Sequence, residues 1–293
     1  MRATTTSDQL TAGTGPIGAG DARVALRTRG KRHGPIVRLA SPGDVGAHIK
    51  PFVFLDRFEA DPASAPRFGW HPHSGIATLT LLLEGQASYE ETTGVKGVLE
   101  AGGIEWMRAG GGVWHTSGFA GPDRIKGFQL WLALPPELEN GPHASQYLHP
   151  TEVPTAGPAR IVLGSYDGVK SPIQAPAGIN YLDVRLRAGE RWSYAMPPGH
   201  DVAWLSVYRG SLRAPQPVDD GELVVFDASD ADARSLEFEA GPDTALILGT
   251  ALKHPHDLVL GYYSVHTSAA ALARGEAEIE RIGTRLQADG LLR

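Results

Sequence analysis

The chain has 293 residues, 42% hydrophobic and 20% charged, with a formal net charge of -6 and no cysteine. Mild acidity argues against nucleic acid as a direct partner, since phosphate binding needs a concentrated basic patch and the stretch from Arg23 to Arg38 is a modest cluster. Without cysteine there are no disulfides and no thiolate ligands, so a metal site must use imidazole, carboxylate, amide or water.

Residues 1–20, rich in Thr, Gly and Ala but lacking the apolar core of a signal peptide, are expected to form a flexible tail. No segment approaches the ~20 apolar residues of a membrane span, so a cytoplasmic protein without membrane contact is expected. Short apolar or alternating runs then recur: Ile36 to Leu39, Phe52 to Leu55, Ile76 to Leu83, Gly97 to Leu99, Ile104 to Met107, Val113 to His115 and Phe128 to Leu134. Glycine, proline or polar turns separate them, the spacing of a sandwich or barrel rather than of βαβ units.

From Leu134 to Pro158 six prolines predict an irregular crossover. A second series of strands follows at Arg160 to Leu163, Tyr181 to Leu186, Trp204 to Tyr208, Glu222 to Phe226, Ser235 to Phe238 and Ala245 to Thr250. At this length about 75% of the unfolded surface can be buried, enough for two cores of about 130 residues each. Near the end, Thr267 or Ser268 can cap a helix whose apolar face is Leu272, Ile279, Ile282 and Leu286, and this helix is expected to pack on the second domain.

The chemistry is carried by histidines. His71 and His73 stand at i and i+2 around Pro72, so on a strand both imidazoles face one way. His115 closes a second strand-like run after Gly110, Gly111 and Gly112. Three imidazoles from two strands make a facial donor set that leaves positions open for water, substrate or dioxygen. An isolated H-x-H carries little weight by itself; most histidines are surface or satisfied core groups. Aromatic residues Phe68, Trp70, Trp106 and Trp114 are candidates to line a mouth, although strand tryptophans more often serve the core.

Taken in order, these residues resemble the pirin family of the cupin superfamily over nearly the whole chain. Phe52-Val53-Phe54-Leu55-Asp56 is similar to the pirin entry strand, and His71-Pro72-His73-Ser74-Gly75 to its H-P-H-R-G block. Tyr89 to Gly94 resembles the H-x-D-S-x-G turn, Glu105 to Gly110 the Q-W-M-T-A-G block, and Gln129-Leu130-Trp131 the Q-L-W strand. The resemblance implies an all-β bicupin: two antiparallel jelly-roll barrels and a C-terminal helix. Residues 21–134 would form the metal-binding barrel, 135–158 the Pro-rich crossover, and 159–293 a second barrel without metal that includes the helix. It further implies one divalent metal, iron first, with Mn, Co, Ni or Zn as alternatives, held by His71, His73 and His115.

One departure stands out. Where pirins carry a glutamate two residues after the third histidine, this chain has Ser117, and Ala77 stands where many relatives have another acid. The loss of an anionic ligand lowers metal affinity and leaves more net positive charge at the site. Three arrangements are open: a three-histidine centre completed by water, a substitute carboxylate from Glu91 or Glu105, or no metal. Ordinary strand geometry assigns both glutamates to solvent-facing or turn positions. By resemblance the function is a metal-dependent dioxygenase acting on flavonols or other phenols, like quercetin 2,3-dioxygenase. The alternative is a non-enzymatic metal or redox sensor that binds a protein partner. No catalytic residue is assigned.

Overall fold

The computed structural model describes residues 23–63, 68–227 and 235–292; the expected tail at 1–20 lies outside them. Strands dominate, every strand-to-strand ladder is antiparallel, and two barrels result. In the first, a seven-stranded sheet runs in the order Ala144–Leu148, Ile104–Arg108, Ile76–Glu84, Ile125–Ala133, Phe52–Ala60, Ile36–Ala40, Lys31–His33. A four-stranded sheet, Phe68–His73, Val113–Phe119, Gln86–Glu91, Lys96–Glu100, closes it. The second barrel repeats the plan with a seven-stranded sheet that includes Ile179–Leu186, Thr244–Ala251 and Val202–Arg209, and a four-stranded sheet that includes Arg191–Ala195 and Ser235–Ala240. This is the bicupin architecture.

The two seven-stranded sheets pack against each other through their outer faces. Phe52 meets Trp204 edge-on at 5.3 Å, Phe128 meets Tyr208 at 5.7 Å, and Trp106, Leu79 and Ile247 join the same core. Each large sheet is therefore covered on both faces, which explains strands such as Ile76–Glu84 whose first seven residues are all buried instead of alternating. The second barrel is packed solid by Leu182, Trp192, Leu205, Leu236, Phe238 and their neighbours. The first keeps space inside, lined in part by polar residues.

The chain ends depart from the expected order. Val24–Thr28 pairs with Leu223–Phe226, so the first described strand belongs to the second barrel's sheet. The helix, Ala269–Ala288, does not pack on the second barrel; it lies on the first, against Val113–Phe119 and Phe68–His73. Trp114 donates Nε1–H to the Ile279 carbonyl at 2.7 Å, and Gly275 and Gly283 let the helix backbone approach Ser74 and the Trp114 ring. The apolar face was legible, but a stripe of this kind does not say which barrel it covers. Ser268 is the N-cap, accepting from the Ala271 N–H at 3.2 Å.

The proline-rich crossover is also more regular than expected. The seven residues between Pro142 and Pro150 carry no proline, and there Ala144–Leu148 forms a ladder on Ile104–Arg108. Among the described residues no helix is long and apolar enough to cross a membrane.

Candidate metal centre

Phe68–His73 pairs with Val113–Phe119 so that His71 lies directly opposite His115, with His73 two residues along on the same face. The ring centroids of His71 and His115 are 4.3 Å apart, and His73 is 5.1 Å from each. One ring nitrogen from each of the three lies within 4.8 Å of the others, close enough to share one cation.

The outer hydrogen bonds settle which nitrogens are free. His71 Nδ1 lies 2.9 Å from the Gly69 carbonyl and His73 Nδ1 lies 3.1 Å from the Tyr263 carbonyl. A carbonyl only accepts, so both Nδ1 atoms carry the proton and both Nε2 atoms present a lone pair. His115 Nδ1 faces Glu105 Oε1 at 3.6 Å, and its Nε2 is buried without a hydrogen-bond partner. An orphaned imidazole nitrogen beside two lone pairs fits a cation well.

Burial and the neighbouring His115 lower the pKa of His71 to about 4 and hold that of His73 well below its ordinary value. Both are therefore neutral, as ligands must be, well below pH 7. Burial alone would raise the Glu105 carboxyl, but His115 and the Thr80 hydroxyl outweigh it and hold it below the usual range.

Glu105 and Glu91 are both buried, contrary to the solvent-facing reading. Glu105, 6% exposed, sits on the inner face of its strand while Trp106 turns into the core between the barrels. In a sheet covered on both sides, the tryptophan does not mark the inside and the acid does not mark the outside. Thr80 Oγ1 lies 2.5 Å from Glu105 Oε2 and 2.9 Å from Gln129 Oε1. With one proton to share between two acceptors, it favours the closer, charged carboxylate. Glu91, opposite His115 in the ladder, is taken up by the hydroxyls of Thr93 at 2.6 Å, Ser145 at 2.8 Å and Tyr147, and does not line the cavity.

The histidines open on a cavity of about 460 Å³ inside the first barrel. Ser117, Trp70, Phe68 and Glu105 line it, whereas Trp106 and Trp114 are core and helix-docking residues. Residues that sequence reasoning missed line it as well. Phe54 stacks on Trp131 at 4.1 Å, Arg38 covers the other side of Phe54 at 4.2 Å while clamping Asp56 through two hydrogen bonds, and Tyr262 and Tyr263 reach in from the C-terminal region. Across the sheet Arg38, Asp56, Gln129, Thr80 and Glu105 are successive cross-strand partners, one polar row on the inner face.

A cupin-type double barrel with a histidine triad at the mouth of an aromatic-lined cavity is a fold and donor set suited to a metal ion. The pirin family model matches residues 36–132. A Pseudomonas aeruginosa protein provisionally named a quercetin 2,3-dioxygenase is 31% identical over 251 residues, covering 78% of this chain and 84% of the relative. The chain belongs to the pirin family. In fold it is similar to quercetin 2,3-dioxygenase from Acinetobacter baumannii, with a TM-score of 0.80 and 20% identity over 89% of this chain and 97% of that one. It is also similar to the bacterial pirin YhhW from Escherichia coli in complex with nickel(II), with a TM-score of 0.61 and 18% identity over 76% of this chain and 95% of that one.

Proposed function

We propose that the protein is a metal-dependent oxygenase of planar phenols, of the quercetin 2,3-dioxygenase type, with His71, His73 and His115 as ligands through Nε2 and iron as the resident metal. The observation that carries this reading is the set of three converging imidazoles whose Nδ1 sides face Gly69, Tyr263 and Glu105, which leaves a lone pair on Nε2 of His71 and His73 beside the partnerless Nε2 of His115. The names of the relatives support the substrate class. A divalent ion held there supplies Lewis acidity toward a phenolic oxygen and a place for dioxygen beside it.

The chain's own residues bind and orient. Phe54, Phe68, Trp70 and Trp131 offer flat apolar surface to a planar ring and keep bulk water away from it. Ser117, two residues after His115 on the same strand face, offers no base at neutral pH. Glu105 is the ionised carboxylate nearest the donor set; through His115 Nδ1 it fixes that ring's tautomer and strengthens it as a donor.

Oxygen uptake tests this. Metal-free protein reloaded with Fe(II), Mn(II), Co(II) or Ni(II) is expected to consume oxygen with quercetin, and His71→Ala and His115→Ala are expected to abolish it. A metal-loaded sample inert toward every phenol tried would sink the oxygenase reading in favour of the non-enzymatic metal sensor.

A further inference from the structure

The C-terminal hairpin, Val259–Gly261 and Ser264–His266, carries two tyrosines at its tip, and both lie at the cavity. Tyr262 is 64% and Tyr263 42% exposed, so burial does not account for their presence there. Tyr263 has φ +52°, a left-handed conformation unfavourable for a bulky side chain. Its surroundings impose it. The Tyr262 N–H donates to Glu276 Oε1 of the helix at 3.1 Å, and Ser264 Oγ donates to the Tyr262 carbonyl at 2.9 Å. Ser74 Oγ, next in sequence to His73, binds Ser264 Oγ at 2.8 Å and His266 Nε2 at 3.0 Å.

The clamp does two things. It holds the Tyr263 carbonyl on His73 Nδ1, and it sets the Tyr263 ring 5.7 Å from His71, 5.9 Å from His73 and 6.4 Å from Trp131. The ring therefore forms part of the cavity wall beside the three histidines. The cavity, about 460 Å³, is roughly three times the ~150 Å³ that takes a single benzene. One ring leaves most of it empty, whereas a fused or linked system extends outward to the tyrosine.

We infer that Tyr263 is a specificity-determining residue, an aromatic wall facing Trp131 that selects extended polycyclic phenols over single-ring catechols. This rests on the reading of the cavity as a site for phenols, but not on turnover. The test is equilibrium binding of quercetin and of catechol to Ni(II)-loaded full-length protein without oxygen, in wild type, Tyr263→Gly and Tyr263→Phe. Glycine adopts φ +52° without strain and keeps the carbonyl, so metal content and melting temperature are expected to hold. Quercetin binding is expected to weaken about five- to tenfold in Tyr263→Gly, the scale of one aromatic contact. Catechol binding is expected to stay within about twofold, and Tyr263→Phe to match wild type for both, since a phenyl ring keeps the same contact face. Equal weakening of both ligands, or none for quercetin, overturns the assignment of selectivity to this ring. A wild type that binds quercetin while Tyr263→Gly binds it equally well overturns this inference alone; a wild type that binds no phenol overturns the reading beneath it too.

Discussion

Glu105 Oε1 lies 3.6 Å from His115 Nδ1, while Nε2 of the same imidazole is buried with no partner. A buried carboxylate behind a ligand ring orients the ring and raises its basicity, an arrangement whose removal elsewhere costs about 10–100-fold in metal affinity. Because Ser117 contributes no charge, this is the acid placed to balance a cation bound by the three rings.

Glu105→Gln is therefore expected to weaken Ni(II) or Co(II) binding by about tenfold or more. Competition with a chromophoric chelator reads this directly. Thr80→Val, which removes the donor to Glu105 Oε2, is expected to weaken it less. An unchanged affinity in Glu105→Gln would show the carboxylate to be a spectator.

Ser117→Glu puts an acid on the cavity wall two residues from His115. Added ligand charge is expected to tighten metal binding on the order of tenfold, and to raise oxygen uptake with quercetin if a base was lacking. Tighter binding without faster uptake would locate the activity limit elsewhere in the cavity.

The metal-free protein should lose stability in acid. His71 has a folded pKa of about 4, against about 6.5 unfolded, and burial holds His73 well below its ordinary value and lowers His254 and His266 in the same direction. Above pH 6.5 both states are neutral and nothing changes. Below it the unfolded chain takes up protons that the folded one refuses, so stability falls, by about 3 kcal/mol at most from His71 as pH nears 4. Melting temperatures of the metal-free protein between pH 7.5 and 4.5 should drop steadily, and less steeply in His71→Gln. A flat profile would contradict the burial of these rings.

Gly275→Ala tests how the helix is seated. Alanine normally favours a helix by about 1 kcal/mol over glycine. Here its Cβ would meet Ser74 Oγ at 2.5 Å and His266 Nε2 at 2.6 Å. Net destabilisation of about 1–3 kcal/mol is expected, seen as a melting temperature lower by several degrees. A raised melting temperature would mean that the helix does not rest on these two residues.

What the sequence made legible was periodic or local: the strand runs, the capped helix, and the i, i+2 histidines. What it hid was pairing. His254-Pro255-His256 repeats the tripeptide of 71–73, yet it lies outside any strand, and His254 Nε2 faces the Leu134 carbonyl at 3.3 Å. Only the ladder that sets His71 opposite His115 separates the two cases. Glu105 was misread for a related reason: alternation gives two faces, but not which is core when both are covered. Tyr262 and Tyr263 lie some 190 residues from His73, and no local signal links them.

The two ends of the polypeptide trade places. The strand at Val24–Thr28 completes the far barrel, and the hairpin and helix between Val259 and Ala288 return to finish the near one. The protein is thus not a pair of modules in series. A fragment cut at the proline-rich crossover would leave the histidine half without the acceptor for His73 and the other half without its edge strand, so neither half carries all of its own barrel.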